Sequence, residues 1–255
     1  MKKWLPWPWM ILALLTLVVR PGTVLAAEEL MVSAAASLTD AIKTIARQFE
    51  EDHPGVKVVL NFAASGVLLQ QMAQGAPVDV FISADQKTMD QAQEKGLIVP
   101  ETRKNLVSNG LVLIVPQDSR LALKDLPSLA RPEVKRLGLG NPETVPAGRY
   151  TREALRHQGL WEALQPKYIM GESVRQVLDY VSRGEVDAGF VFATDAAIAK
   201  GKVTSVQVVK GHQPILYPMA LVAASRHPDL ARKFLDFLGG SKAREIFTQY
   251  GFGEP

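Results

Sequence analysis

The chain contains no cysteine among its 255 residues. This absence excludes disulfide bonds, cysteine-ligated zinc or iron–sulfur sites, a thiol nucleophile and a lipidated bacterial N-terminus. It is compatible with export, because not every exported protein uses disulfide bonds. Histidine is also scarce, and the four histidines show no i, i+4 pair and no H-E-x-x-H metal site.

Common catalytic motifs are missing as well. The sequence has no P-loop and no G-x-G-x-x-G, and Ser65 stands in A-A-S-G rather than in a G-x-S-x-G nucleophile motif. A secreted hydrolase that uses Ser37 or Ser65 stays as an alternative. It requires a base, such as His157 or His212, within hydrogen-bond distance of the hydroxyl.

A long apolar run occurs at residues 4–19, directly after two lysines. Val24 and Ala26 then place small residues where a signal peptidase cleaves. Residues 1–26 are therefore predicted to be a signal peptide, and the mature protein is expected in the periplasm. An uncleaved anchor is disfavoured, because the run is shorter than the roughly 20 residues that span a bilayer and contains two prolines.

The net charge of +3 depends on this N-terminal segment. Three of the 29 basic residues and none of the 26 acidic residues lie in residues 1–26, so the remaining chain carries equal numbers of both. No stripe of Lys and Arg interleaved with aromatic residues follows. Nucleic acid is therefore not an expected partner.

Segments typical of strands and helices alternate along the rest of the chain, which predicts an α/β fold. The length allows one domain or two lobes. Apolar residues with the 3.6-residue spacing of a buried helix face begin at Leu38 and end at Phe49. Strands are predicted at residues 29–35, 56–62, 78–83, 111–115, 186–192, 203–209 and 215–224.

Four predicted strand-to-helix junctions share small, neutral or hydroxyl-bearing residues. They are AAASLTD (34–40), FAASG (62–66), TVPAGRY (144–150) and GESVRQ (171–176). The first turn of a helix leaves backbone N–H groups without intrahelical acceptors, so each junction can either cap a helix or bind an anion. Ser37 is predicted to be an N-cap, with Asp40 completing a capping box.

Seven segments together resemble the periplasmic molybdate-binding proteins of bacterial ABC importers. They are AAASLTDAI (34–42), FAASG (62–66), GAPVDVFISADQKTMD (75–90), GNPETVPAGRY (140–150), SVRQVL (173–178), FVFATDA (190–196) and REIFTQYGF (244–252). The resemblance covers nearly the whole chain after the signal peptide.

The resemblance implies a two-lobed periplasmic-binding-protein fold, with mixed sheets, helices on both faces and two hinge crossings. Lobe 1 would comprise residues 27–107 plus 217–255, and lobe 2 residues 108–216. The crossings would fall near Ser108–Gly110 and Tyr217–Pro218. The lobes would close on an anion by hinge bending.

The resemblance also assigns the ligand positions. Ser37 and Ser65 would each offer a hydroxyl and a backbone N–H, and Ala147 and Val174 a backbone N–H only. These groups would bind the oxygens of molybdate or tungstate and would not coordinate the metal directly.

Phe192 stands where the family usually has a tyrosine hydroxyl, so one donor is missing from the expected site. Tyr150 or Thr194 could replace that contact. The resemblance further implies no enzymatic activity, no cofactor, a monomer, and delivery of the anion to an inner-membrane permease driven by a cytoplasmic ATPase. Sulfate, thiosulfate or a small organic anion is the alternative ligand, and an organic acid would require Arg149 or Arg175 in the cleft.

Overall fold

The computed structural model of the protein describes Met1 and residues 27–255. Apart from Met1, the signal peptide predicted for residues 1–26 lies outside the described residues. Within the part of the chain that the structure describes, no helix is long and apolar enough to cross a bilayer.

The described chain alternates strands and helices. The strands are β1 (Glu28–Ala35), β2 (Val56–Ala63), β3 (Val80–Ile82), β4 (Lys104–Asn109), β5 (Leu111–Pro116), β6 (Leu137–Gly140), β7 (Tyr168–Gly171), β8 (Ala188–Phe192), β9 (Val203–Val209) and β10 (Ile215–Leu221). The helices are α1 (Thr39–Asp52), α2 (Ser65–Ala73), α3 (Gln86–Glu94), α4 (Pro146–His157), α5 (Trp161–Leu164), α6 (Val174–Ser182), α7 (Ala193–Ile198), α8 (Pro228–Leu238) and α9 (Ser241–Gln249).

The strands form two mixed five-stranded sheets, so the expected α/β fold is confirmed. The first sheet has the order β2-β1-β3-β10-β4, and the second has the order β7-β6-β8-β5-β9. In the first, β1 is parallel to β2 and β3, and β10 is antiparallel to its neighbours. In the second, β6 is parallel to β7 and β8, and β5 is antiparallel to β8 and β9.

The chain passes between the sheets twice. It leaves the first sheet after β4, turns at Gly110 and enters the second sheet with β5. It returns between β9 and β10. We call the first sheet with α1–α3, α8 and α9 the first-sheet half, and the second sheet with α4–α7 the second-sheet half.

Buried helix faces pack on each sheet. In the first-sheet half, the ring of Phe49 on α1 lies 5.0 Å from Phe234 and 5.4 Å from Phe237 of α8. In the second-sheet half, α6 lies so close to β8 that a Cβ added at Gly189 would lie only 2.6 Å from Cγ2 of Val181. Glycine at this position therefore allows the helix to approach the strand closely.

This topology gathers the starts of several helices at one edge of each sheet. The parallel strands β1, β2 and β3 lead into the turn before α1, into α2 and into α3. The parallel strands β6, β7 and β8 lead into α4, α6 and α7. Carboxyl ends of parallel strands share one edge, which is where open α/β sheets bind ligands.

Candidate anion-binding site

A small void lies where the two halves meet, and it encloses about 200 Å³ of space between protein atoms, its mouth included. Segments of both halves line it: residues 35–37 and 64–65, Ala84, residues 145–147, Val174 and Phe192. The structure thus brings Ser37, Ser65, Ala147 and Val174 together at one place. Each segment belongs to, or directly precedes, the start of a different helical segment.

Ser65 is the first residue of α2 and is fully buried. Its Oγ accepts a hydrogen bond from the backbone N–H of Ala84 at 2.9 Å. A serine hydroxyl has one hydrogen to donate besides its acceptor lone pairs. Because a fixed donor already occupies its oxygen, Ser65 is free to donate its own hydrogen into the void.

Ser37 lies in the 3-10 turn Ala36–Leu38 between β1 and α1. The N-cap of α1 is Leu38, and it makes no side-chain capping bond, so the predicted capping box at Ser37 and Asp40 is wrong. The reason is a tertiary contact: Oγ of Ser37 lies 2.9 Å from Oη of Tyr217 on β10. The hydroxyl therefore faces the interior instead of its own helix.

Ala147 and Val174 supply backbone groups. Ala147 follows Pro146 in the first turn of α4, and Val174 is the first residue of α6. N–H groups at these positions have no intrahelical acceptor, and the positive end of the helix dipole points the same way. Ser173 does cap its own helix, because its Oγ accepts from the N–H of Gln176 at 3.2 Å.

The lining is electrically neutral, since it consists of alanine, serine, valine, proline and phenylalanine only. An anion there would meet N–H and O–H donors without a cationic side chain. In the described part of the chain, no group of three or more His, Asp or Glu side chains is arranged to hold a metal ion.

Arg149 does not line the void, because its guanidinium is bound to a carboxylate. It lies on α4, and its Nε donates to Oδ2 of Asp85 in the first-sheet half at 2.6 Å. Its Nη2 donates to Oγ1 of Thr88 at 2.7 Å. Arg149 and Asp85 are 6% and 3% exposed, so this pair is a buried ionic bridge between the two halves.

Arg175 makes a second bridge between the halves. Its Nε donates to Oδ1 of Asp195 at 2.6 Å within the second-sheet half. Its Nη2 lies 2.9 Å from Oδ2 of Asp40 and donates to the carbonyl oxygen of Ser37 at 3.3 Å, both in the first-sheet half. Both arginines are thus committed to protein acceptors, and the requirement for a small organic acid is unmet.

Phe192 lines the void with its ring in an aromatic cluster. Its centroid lies 5.8 Å from that of Tyr217 and 6.4 Å from that of Tyr150. Neither of the suggested replacements for a tyrosine at this position lines the void. Oγ1 of Thr194 accepts from Nδ2 of Asn109, and the ring of Tyr150 packs against Phe192 and His212.

Larger grooves lie elsewhere on the first-sheet half. One runs beside the C-terminal residues near Arg244 and Phe247, and another lies near Asp79 and His227. The small void differs from both because helix starts from the two halves surround it. We therefore regard it as the candidate site.

A comparison with known families identifies the family of the chain. Residues 30–253 match the model of a family described as bacterial extracellular solute-binding protein. The chain belongs to this family. The membership that the seven sequence segments indicated is confirmed.

Individual relatives cover nearly the whole of this solute-binding protein. The molybdate-binding protein ModA of Escherichia coli (strain K12) is 42% identical over 239 residues, which cover 91% of each chain. ModA of Haemophilus influenzae is 37% identical over 231 residues, which cover 89% of this chain and 91% of that protein. The structure of the Azotobacter vinelandii periplasmic molybdate-binding protein matches with a TM-score of 0.76 at 25% identity, covering 89% of this chain and 99% of that one.

The hydrolase alternative finds no support around the two serines. The ring nitrogens of His212 lie 2.7 Å and 3.0 Å from the carbonyl oxygens of Gln213 and Val209. In residues 27–255, neither His157 nor His212 contacts Ser37 or Ser65 by a hydrogen bond. Neither of these two histidines is therefore placed to act as the base of a serine nucleophile.

The buried carboxyl group of Asp195 should make the stability of the folded protein depend on pH. Burial raises its pKa from 3.8 to about 6, although Arg175 opposes the change. The folded chain therefore holds the proton of Asp195 more tightly than the unfolded chain does. The protonated carboxyl group thus contributes to the free energy of unfolding. This contribution is complete below about pH 4 and is lost as the pH rises through about 6.

Urea unfolding of the wild type and of Asp195→Asn between about pH 4 and pH 7 measures this contribution. The asparagine variant keeps the side-chain shape and cannot titrate. We expect the stability of the wild type relative to the variant to fall as the pH rises. A relative stability that increases with pH would show that the ion pair with Arg175 outweighs burial.

Proposed function

We propose that this solute-binding protein binds the tetrahedral dianion molybdate, and also tungstate, in the void between the two halves. The observation that carries the proposal is the convergence of helix starts, with Ser37, Ser65, Ala147 and Val174, on a lining without charged side chains. The names of the relatives support molybdate as the first choice.

The donor chemistry fits such an anion. Molybdate and tungstate are fully ionised at neutral pH and only accept hydrogen bonds. Neutral donors hold them through charge-assisted bonds, each contributing about 1.5–3 kcal/mol. Hydrogen phosphate carries a proton and needs an acceptor, and none of the lining side chains is a carboxylate. Sulfate differs only in size, because its shorter bonds stretch the hydrogen bonds of a rigid site.

We further propose that the halves are two lobes that close on the anion. Lobe 1 comprises residues 27–107 plus 217–255, and lobe 2 comprises residues 108–216, with hinges near Ser108–Gly110 and Tyr217–Pro218. Donors from both lobes line the void, so closure completes the site.

The remaining assignments are part of the same proposal. The protein acts in the periplasm as a monomer after removal of its signal peptide. It passes the anion to an inner-membrane permease driven by a cytoplasmic ATPase. It has no enzymatic activity and needs no cofactor.

Calorimetric titration of the purified protein with molybdate, tungstate, sulfate and phosphate tests the proposal. We expect molybdate and tungstate to bind with similar affinities, because the two ions are nearly equal in size, and sulfate to bind more weakly. Tight sulfate binding without a response to molybdate would contradict the assignment.

Ser37→Ala and Ser65→Ala should each weaken molybdate binding by about 1–3 kcal/mol, because each removes a donor to a buried charge. Titration of both variants measures the loss. Ser33→Ala is the matched control, since Ser33 is a buried serine on β1 that does not line the void. Unchanged affinity in both site variants would mean that these hydroxyls serve only the fold.

A further inference from the structure

The hydroxyl of Ser37 stands at the end of a chain of hydrogen bonds that begins outside the void. Nδ2 of Asn109, on β4, donates to Oη of Tyr217 at 3.2 Å. That oxygen lies 2.9 Å from Oγ of Ser37. Tyr217 is fully buried and does not line the void, so its hydroxyl would contact the anion only through Ser37.

A backbone N–H determines the donor-to-acceptor direction of this series of hydrogen bonds. The N–H of Gly110 donates to Oδ1 of Asn109 at 2.9 Å, which defines the orientation of the amide. The amide nitrogen therefore donates its two hydrogens, one to Thr194 and one to Tyr217. Oη of Tyr217 accepts from Asn109, and its own buried hydrogen needs an acceptor. The oxygen of Ser37, the other hydrogen-bond partner of that hydroxyl, provides it.

Tyr217 also keeps this hydrogen throughout the physiological range. Burial and the nearby Asp195 carboxylate both raise the pKa of its phenol well above the ordinary value. One lone pair of the Ser37 oxygen is thus bound to a protonated phenol. The hydrogen of Ser37 is then the group left to point into the void.

We propose that Tyr217 is a positioning residue that makes Ser37 a hydrogen-bond donor to the bound oxyanion. This inference rests on the proposed function of the void. The N–H of Ala84 has the same effect on Ser65, so each of the two serines has one lone pair bound to a protein donor and its own hydrogen available to the anion. A hydroxyl whose hydrogen is directed at the ligand favours ions that only accept hydrogen bonds.

A double-mutant cycle tests the proposal through molybdate titration of the full mature chain. Tyr217→Phe should weaken binding about tenfold, because the freed hydroxyl of Ser37 loses its fixed direction. In the Ser37→Ala background, the same change should have almost no effect. Tyr250→Phe should leave affinity unchanged, since that phenol contacts Thr44 on α1 at 3.0 Å and does not line the void.

The proposal would be overturned if the affinity losses of Tyr217→Phe and Ser37→Ala simply added in the double variant. Additive losses would mean that Tyr217 acts on the fold, independently of the Ser37 hydroxyl. Asn109→Ala provides a second variant if Tyr217→Phe does not fold. Its loss should also vanish in the Ser37→Ala background. Wild-type protein that binds none of the four oxyanions would contradict the proposed function as well, whereas binding with additive losses contradicts only the role of Tyr217.

Discussion

Replacing Gly66 with alanine should weaken molybdate binding about 30-fold, or about 2 kcal/mol, the cost of overpacking a close contact. A Cβ added at Gly66 would lie 2.7 Å from the carbonyl oxygen of Thr144 and 2.9 Å from its Cα. The N–H of Gly66 donates to that same oxygen at 3.0 Å. The contact joins α2 of the first-sheet half to the segment before α4 of the second.

The added methyl group clashes only where the halves meet, so it should act on closure and not on folding. Alanine favours a helix more than glycine does, and α2 should be no less stable. Gly239→Ala is the matched control, because its Cβ would lie at an ordinary 3.6 Å from the nearest atom and Gly239 does not line the void. Unchanged affinity of Gly66→Ala would show that the halves do not approach each other as proposed.

Replacing Arg149 with methionine should lower molybdate affinity by roughly a hundredfold or more. The change removes the partner of Asp85, and breaking a buried ion pair on one side costs about 3–5 kcal/mol. In the closed arrangement Asp85 is buried. With the lobes apart, water would hydrate it. Under the proposed closure, this cost reduces the closed fraction. The change also removes the hydrogen bonds from Nη1 to the carbonyl oxygens of Pro142 and Glu143, which lie in the second-sheet half itself.

Calorimetric titration measures the effect of Arg149→Met on affinity, and thermal unfolding without ligand measures its effect on stability. We expect a large loss of affinity and a smaller loss of stability. Arg152→Met on the same helix is the control, since Arg152 pairs with Glu143, which is largely exposed. Adding Asp85→Asn to Arg149→Met should restore part of the affinity. Equal losses in the two arginine variants would contradict the bridge.

The sequence predicted the fold class and most strands of the two sheets. It missed β4 (Lys104–Asn109), β6 (Leu137–Gly140) and β7 (Tyr168–Gly171). The last two are only four residues long and contain glycine. Glycine is depleted in strands, so its presence in a segment argues against predicting a strand there. Here Gly138 and Gly171 lie within reach of Val177 on α6, so packing against that helix overrides the local preference.

The four junctions could be proposed as anion-binding segments because helix starts leave N–H groups free wherever they occur. The choice of Ala147 and Val174 within them came from the resemblance. Their convergence was not visible in the sequence, since it depends on which strands are parallel. The resemblance to a known family provided it, and the structure brings the four positions together.

The contacts that the sequence could not reveal are those between distant residues. Arg149 pairs with Asp85, 64 positions away, and Tyr217 contacts Ser37 across 180 positions. Local pattern favoured Ser37 as a helix cap, and the tyrosine on β10 outcompetes that role. The ionic pairs carried one weak signal, since Asp40, Arg149 and Arg175 are charged residues within three of the four junctions.

The anomalous signal of molybdenum in a crystal grown with molybdate tests the central claim most directly. We predict one strong peak in the void, with molybdate oxygens about 2.7–3.1 Å from Oγ of Ser37 and Ser65 and from the backbone nitrogens of Ala147 and Val174. A peak held instead by cationic side chains at the surface, with these four donors bound to protein or water, would contradict it.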